Sequence, residues 1–198
     1  MAPQAAATKR DSESTKKRDA DATRRRILEA ATAEFAAHGI AGARVDRIAA
    51  SAGANKSLIY AYFGNKDKLF DAVFEAAVAG TVDQVPLDAD DLPGYAARLY
   101  DHRLAAPELL RLADWDRLER DAAGAKSEPI AGAWTTKVAA VARAQRAGKL
   151  SKALSPEALL EFVLSLCQTG LGLESGSRAA TAHRKRIVAA VAQLVANT

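Results

Sequence analysis

The sequence predicts an all-α protein of about nine helices, with a small three-helix helix-turn-helix head followed by a larger helical body. Three observations carry this. Apolar residues recur at three- and four-residue steps along most of the chain and almost never alternate as they would in a strand. Gly and Pro gather at a few points that cut the chain into helix-length pieces. Residues 45–66, "VDRIAASAGANKSLIYAYFGNK", place two short apolar patterns on either side of one glycine, Gly53.

Taken in order, residues 1–20, "MAPQAAATKRDSESTKKRDA", mix charge with Ser, Thr and Ala, a composition that predicts a disordered basic and polar tail. A head over 21–66 follows. "TRRRILEAATAEFAAHG" places Ile27, Ala31 and Phe35 at four-residue steps, with Asp21 or Thr23 as cap and Gly39 as stop. "RVDRIAASAG" puts Val45, Ile48, Ala49 and Ala52 on one face, and "KSLIYAYF" pairs Leu58 with Tyr62 and Ile59 with Phe63. The body is expected over 67–198. Its first helix begins at Asn65 as cap and buries Leu69, Phe70, Val73 and Phe74. A linker with Pro86 and Pro93 leads to five longer helices near 93–105, 107–122, 127–148, 155–173 and 178–196.

Composition narrows the function. At 49% hydrophobic residues the chain has ample material for a core, yet no window of 18 residues is free of polar breaks, so no membrane span is expected. The N-terminus lacks the apolar segment of a signal peptide. The one cysteine, Cys167, permits no intrachain disulfide, which fits a cytoplasmic location. Residues 1–63 hold 11 Lys and Arg against 7 Asp and Glu, whereas residues 64–198 hold 17 of each. The formal excess of +4 therefore lies in the first third. A basic end on a neutral body suits a polyanion, most simply nucleic acid, and equally suits a solvated tail.

The stretch 45–66 favours nucleic acid. Two short helices joined through a Gly-bearing turn make a helix-turn-helix. Asn55 can cap the second helix, whose first backbone N–H groups are otherwise unpaired. Lys56 and Ser57 extend from that electropositive start, as the leading residues of a recognition helix do in the major groove. The hydroxyls of Tyr60 and Tyr62 can donate to phosphate oxygens and set the register.

Through "ILEAATAEFAAHG" and "RVDRIAASAGANKSLIYAYFGNKDKLF", residues 24–78 resemble the DNA-binding domain of the TetR (tetracycline-repressor) family of bacterial regulators. The resemblance implies a dimeric transcriptional regulator, usually a repressor, that binds double-stranded DNA at a palindromic operator and answers to a small molecule. A regulator governed by a protein partner is the alternative. The resemblance further implies DNA contacts by Arg44 at the second helix's start, by Asn55, Lys56, Ser57, Tyr60 and Tyr62 in and before the third, and by Lys66 at the fourth. Two residues depart from the family pattern. Leu58 stands where a small polar residue is common and is read as core in preference to a thymine contact; Ala61 stands where a longer side chain is common.

No catalytic constellation is evident. His38, His102 and His183 are far apart and make no metal-ligand spacing, no phosphate loop or nucleophile elbow occurs, and no cofactor is expected. Cys167 lies in an apolar stretch and reads as core or interface. The last two helices carry broad apolar stripes, Leu159, Phe162, Val163, Leu166 and Leu171 on one and Ile187, Val188, Val191, Leu194 and Val195 on the other. With Gly170 and Gly172 allowing close approach, they predict a four-helix dimer interface. The resemblance places an effector pocket in the body, whose aromatics are Tyr95, Tyr100, Trp115, Trp134 and Phe162, with His102 nearby; Tyr100, His102, Trp115, Trp134 and Phe162 are the candidate lining. No buried charge cluster is evident there, so a hydrophobic or aromatic effector is expected over an anionic one.

Overall fold

The computed structural model describes residues 4–124, 127–170 and 172–196, with side chains from residue 18 onward. Among the described residues there are nine helices and no strand. They are α1 (Gln4–Gly42), α2 (Val45–Ala52), α3 (Lys56–Phe63), α4 (Lys66–Gln84), α5 (Leu92–Ala105), α6 (Glu108–Arg120), α7 (Glu128–Arg146), α8 (Pro156–Leu166) and α9 (Arg178–Val195). The chain forms two compact units, Met1–Phe74 and Glu75–Thr198.

In the first unit, α1 starts at Gln4, where composition predicts a disordered tail. Residues 4–38 contain neither Gly nor Pro and are rich in Ala, Lys, Arg and Glu, all strong helix formers. Asp21 and Thr23, the expected caps, therefore lie inside the helix. The break comes at Gly39, whose φ of 72° and ψ of 179° are open to glycine and strained for other residues. Ile27, Ala31 and Phe35 of α1 then close a core with Val45, Ile48 and Ala52 of α2 and Ile59 and Phe63 of α3. The start of α4 belongs to the same core: Phe70 meets Phe35 edge-on at 5.2 Å between ring centres and stacks on Phe74 at 6.0 Å. The first compact unit accordingly runs to Phe74, eight residues beyond the boundary expected from sequence.

The second unit is a bundle in which α5 packs on α9 and α7 on α8. Leu92, Tyr95, Leu99 and Tyr100 of α5 lie against Val141 of α7, Leu159 and Val163 of α8, and Ile187 and Val191 of α9. Arg184 of α9 donates to the Asp101 carboxylate at 2.7 and 2.9 Å. The Gln145 amide holds the α7–α8 loop by donating to the Ser151 and Leu154 carbonyls at 2.8 and 2.9 Å. One helix is shorter than its pattern. Periodicity carries α8 to residue 173, but it stops at Leu166. The Thr169 hydroxyl donates to the Leu166 carbonyl at 2.7 Å, and Gly170 turns the chain at φ 70°. Among the described residues no helix is long and apolar enough to cross a membrane.

Candidate nucleic-acid interface

The turn between α2 and α3 is built as the spacing predicts. Gly53 adopts the left-handed conformation (φ 59°, ψ 39°) that ends α2, and the Ala54 N–H returns to the Ala49 carbonyl at 3.0 Å. The chain re-enters helix at Asn55, whose side-chain oxygen accepts from the Leu58 N–H at 2.7 Å. Asn65 does the same for α4, accepting from the Lys68 N–H at 2.8 Å. Ile59 and Phe63 face the core, which leaves Lys56, Ser57, Tyr60 and Ala61 on the outer side of α3. Tyr60 is 41% exposed, a large aromatic held in solvent. Tyr62 and Leu58 are half-buried, with the Tyr62 ring 6.2 Å from that of Phe63.

The two lysines are less free than solvated side chains. Lys56 pairs with Asp46 of α2 at 3.0 Å, and this hydrogen bond raises its pKa. Arg44 precedes α2 with an exposed side chain, and its N–H donates to Glu34 of α1 at 2.9 Å. Lys66 is turned inward, donating to the Ala41 carbonyl at 3.1 Å and the Ala43 carbonyl at 3.4 Å. Its ammonium thus caps the turn that delivers Arg44.

Four further residues, Glu34, Arg47, Arg26 and Arg24, hold the head together through partners distant in the sequence. Glu34 is a hub. It accepts from Arg47 Nε at 2.8 and 3.1 Å and from the Arg44 N–H, and the Arg47 hydrogen bond holds its carboxyl below the ordinary carboxylate range. Arg26 donates to the Ala52 carbonyl at the end of α2 at 3.2 Å. Arg24 lies over the Phe63 ring at 5.3 Å, so two members of the run 24–26 serve the head's own packing.

Residues 27–73 match the family model described as bacterial regulatory proteins, tetR family, and residues 91–196 match that of the tetracyclin repressor-like C-terminal domain. The HTH-type transcriptional repressor SCO4008 of Streptomyces coelicolor is 47% identical over 158 residues, covering 79% of this chain and 78% of the relative. The chain belongs to the TetR family of transcriptional repressors. The crystal structure of SCO4942 from the same organism superposes with a TM-score of 0.77 at 37% identity, over 89% of this chain and 99% of that one. AibR, solved with isovaleryl coenzyme A and operator DNA, shares the fold with a TM-score of 0.60 at 17% identity, over 85% of this chain and 97% of that one.

In the body of this TetR-family repressor the five candidate effector residues do not converge. Tyr100 is buried, 5.6 Å from the His183 ring, with its hydroxyl donating to the Gly170 carbonyl at 3.5 Å. His102 pairs with the Thr81 hydroxyl of α4 at 3.3 Å. Trp115 and Trp134 are half-buried on α6 and α7. Phe162 faces outward at 52% exposure. A charged cleft of about 710 Å³ between the 86–90 loop and α5 and α7 is lined by none of the five. Single charges are nonetheless drawn into the body, Asp116 of α6 at 1% exposure among them. Arg103 is only 9% exposed and Lys137 is half-buried, because both project from faces of α5 and α7 that the bundle closes over. Cys167 is buried, its thiol donates to the Ala96 carbonyl at 3.5 Å, and burial pushes its pKa up to about 11, so it is a protonated core residue.

The dimer candidates divide. Leu159, Val163, Ile187 and Val191 are buried within this chain, which leaves them no surface for a second copy. Gly170 lies against the His183 ring of its own chain: a Cβ there would come within 2.6 Å of it. Leu171 lies outside the described residues. Phe162 faces outward, and with the half-buried Leu166 and Leu194 and with Leu154, Ala190 and Gln193 it lines an apolar groove of about 480 Å³ on α8 and α9.

Proposed function

We propose that the protein is a homodimeric repressor that reads a near-palindromic operator through α3 and is released by a small molecule held in its body. The observation that carries the DNA reading is the split of α3. Asn55 caps it, Ile59 and Phe63 anchor it, and Lys56, Ser57 and Tyr60 stand together in solvent beside its electropositive start. Arg44 and Tyr62 flank that surface as further phosphate contacts. Lys66 contributes by fixing the turn at residues 41–43, in addition to any charge it presents to the backbone.

The outward groove with Phe162 supports a two-fold interface made by α8 and α9. A near-palindrome is read when the two recognition helices of a dimer lie on successive major-groove faces, roughly 34–36 Å apart. For release, α4 is the lever. Leu69, Phe70, Val73 and Phe74 pack in the head core, while Thr81 pairs with His102 of α5, so a ligand that shifts α5 tilts α4. Such a ligand must bind the tilted form better than the operator-bound form, since equal affinity for both changes nothing.

The test is fluorescence anisotropy of the full-length protein on fragments of its own promoter region. Nanomolar, steeply salt-dependent binding to one near-palindrome supports the reading. Salt-insensitive binding, or none, removes it. Hits from a thermal-shift screen are then added: release of DNA by a stabilising compound supports the effector, and stabilisation without release favours a protein partner.

A further inference from the structure

We propose that Arg103, Lys137 and Tyr95 form the receptor for a carboxylate at one end of an otherwise apolar effector. The inference rests on the effector reading above and specifies its chemistry.

Arg103 of α5 reaches into the bundle, where its Nη1 donates to the Leu164 carbonyl of α8 at 2.9 Å. That single bond fixes the guanidinium and leaves its other edge unused. Nε is buried with no acceptor, and among the described residues Nη2 has none either. Nε–H and the adjacent Nη2–H form the side-on fork that matches the two oxygens of a carboxylate. Lys137 of α7 brings a second cation to the same interior: its Nζ donates to the Tyr95 hydroxyl at 3.3 Å and sits 5.9 Å from the centre of the Tyr95 ring. Tyr95 itself is fully buried.

Among the described residues no carboxylate pairs with either cation. A buried guanidinium and a half-buried ammonium without a paired anion are costly to keep in a bundle. Burial lowers the pKa of both, and on Lys137 the Arg103 charge adds to the effect. The surroundings are otherwise apolar: Leu92, Ala96, Leu99 and Val163 belong to the same core. A ligand with a hydrocarbon or aromatic body and one carboxylate would complete the hydrogen bonding of Arg103 and neutralise the pair. A neutral alcohol of the same shape could offer Nε one oxygen, but neither the second acceptor of the fork nor the charge that neutralises the two cations.

The test uses the full-length protein with octanoate and benzoate as acids and octanol and benzyl alcohol as matched neutral probes. Acids should raise the melting temperature and bind at least tenfold more tightly than the alcohols. Arg103→Met and Lys137→Met should each abolish that preference, while without probe both melt at or above the parent and bind operator within about twofold of it. Equal shifts by acids and alcohols overturn the proposal, as does no shift by either acid at millimolar concentration. So does an Arg103→Met protein that melts several degrees lower without probe, which would make Arg103 a structural prop of α8. Loss of acid preference with operator binding intact tests the carboxylate receptor alone. Failure of the parent to bind any operator fails the repressor reading instead.

Discussion

Replacing Asn55 separates what this residue does for the fold from what it does for DNA. Its side chain accepts the Leu58 N–H at 2.7 Å at the start of a helix only eight residues long, so one cap serves a large share of the helix. Asn55→Ala removes that acceptor and should cost about 1 kcal/mol. In a unit the size of the head, that lowers its own melting transition by about 4–8 °C. The effect on DNA affinity through folding alone is small. If α3 opens with a free energy of about 2 kcal/mol, losing 1 kcal/mol still leaves roughly five-sixths of molecules competent, and apparent affinity falls by less than about 1.3-fold. Asn55→Asp keeps the cap and adds a negative charge that the helix start favours but a phosphate opposes. It should melt at or above the parent and bind operator at least tenfold more weakly. Differential scanning calorimetry and operator anisotropy on Asn55→Ala, Asn55→Asp and Asn55→Ser, with Ser a neutral cap, complete the series. An Ala variant melting within 1 °C of the parent would refute the capping argument. An Asp variant binding operator as tightly as the parent would show that this helix start does not face the phosphates.

Lys56→Ala should weaken operator binding roughly tenfold and reduce the salt slope by about one, whereas Asp46→Asn should tighten binding a few-fold, because it frees Lys56 and removes a charge that opposes phosphate; unchanged anisotropy curves for both would take Lys56 out of the interface. Glu34→Gln should lower the head's melting temperature by a few degrees at neutral pH. The Glu34 carboxyl is held below its ordinary 4.5, so its contribution is complete above that value and is lost as pH falls through the folded pKa. The variant's stability should therefore decline less steeply below about pH 4.5 than the parent's, and parallel acid profiles would contradict this. Phe162→Glu should convert a dimer to a monomer in sedimentation velocity with little change in melting temperature, since the ring is half exposed within one chain; a persistent dimer would move the interface elsewhere.

What was legible in the sequence is what short-range geometry decides. Gly53 as the turn, Asn55 and Asn65 as caps, and the inward set Val45, Ile48, Ile59 and Phe63 all follow from spacings of one to four residues, where helix periodicity and backbone hydrogen bonding leave few choices. The boundaries that shifted are those where composition or periodicity was read beyond its range: α1 extends to Gln4 because nothing in residues 4–38 stops a helix, and α8 ends at Leu166 because a threonine hydroxyl and a left-handed glycine stop it early. Tertiary structure alone decided which charges are spent and which apolar residues remain outward. Glu34 meets Arg47 from 13 residues away, Lys66 turns back to Ala41 from 25 away, and Arg103 reaches Leu164 from 61 away. The same holds for the stripes of α8 and α9, where Leu159, Val163, Ile187 and Val191 are consumed by their own chain while Phe162 faces out. A helix's periodicity specifies its faces, but the partner each face meets depends on how distant helices pack, and no local spacing in the chain encodes that.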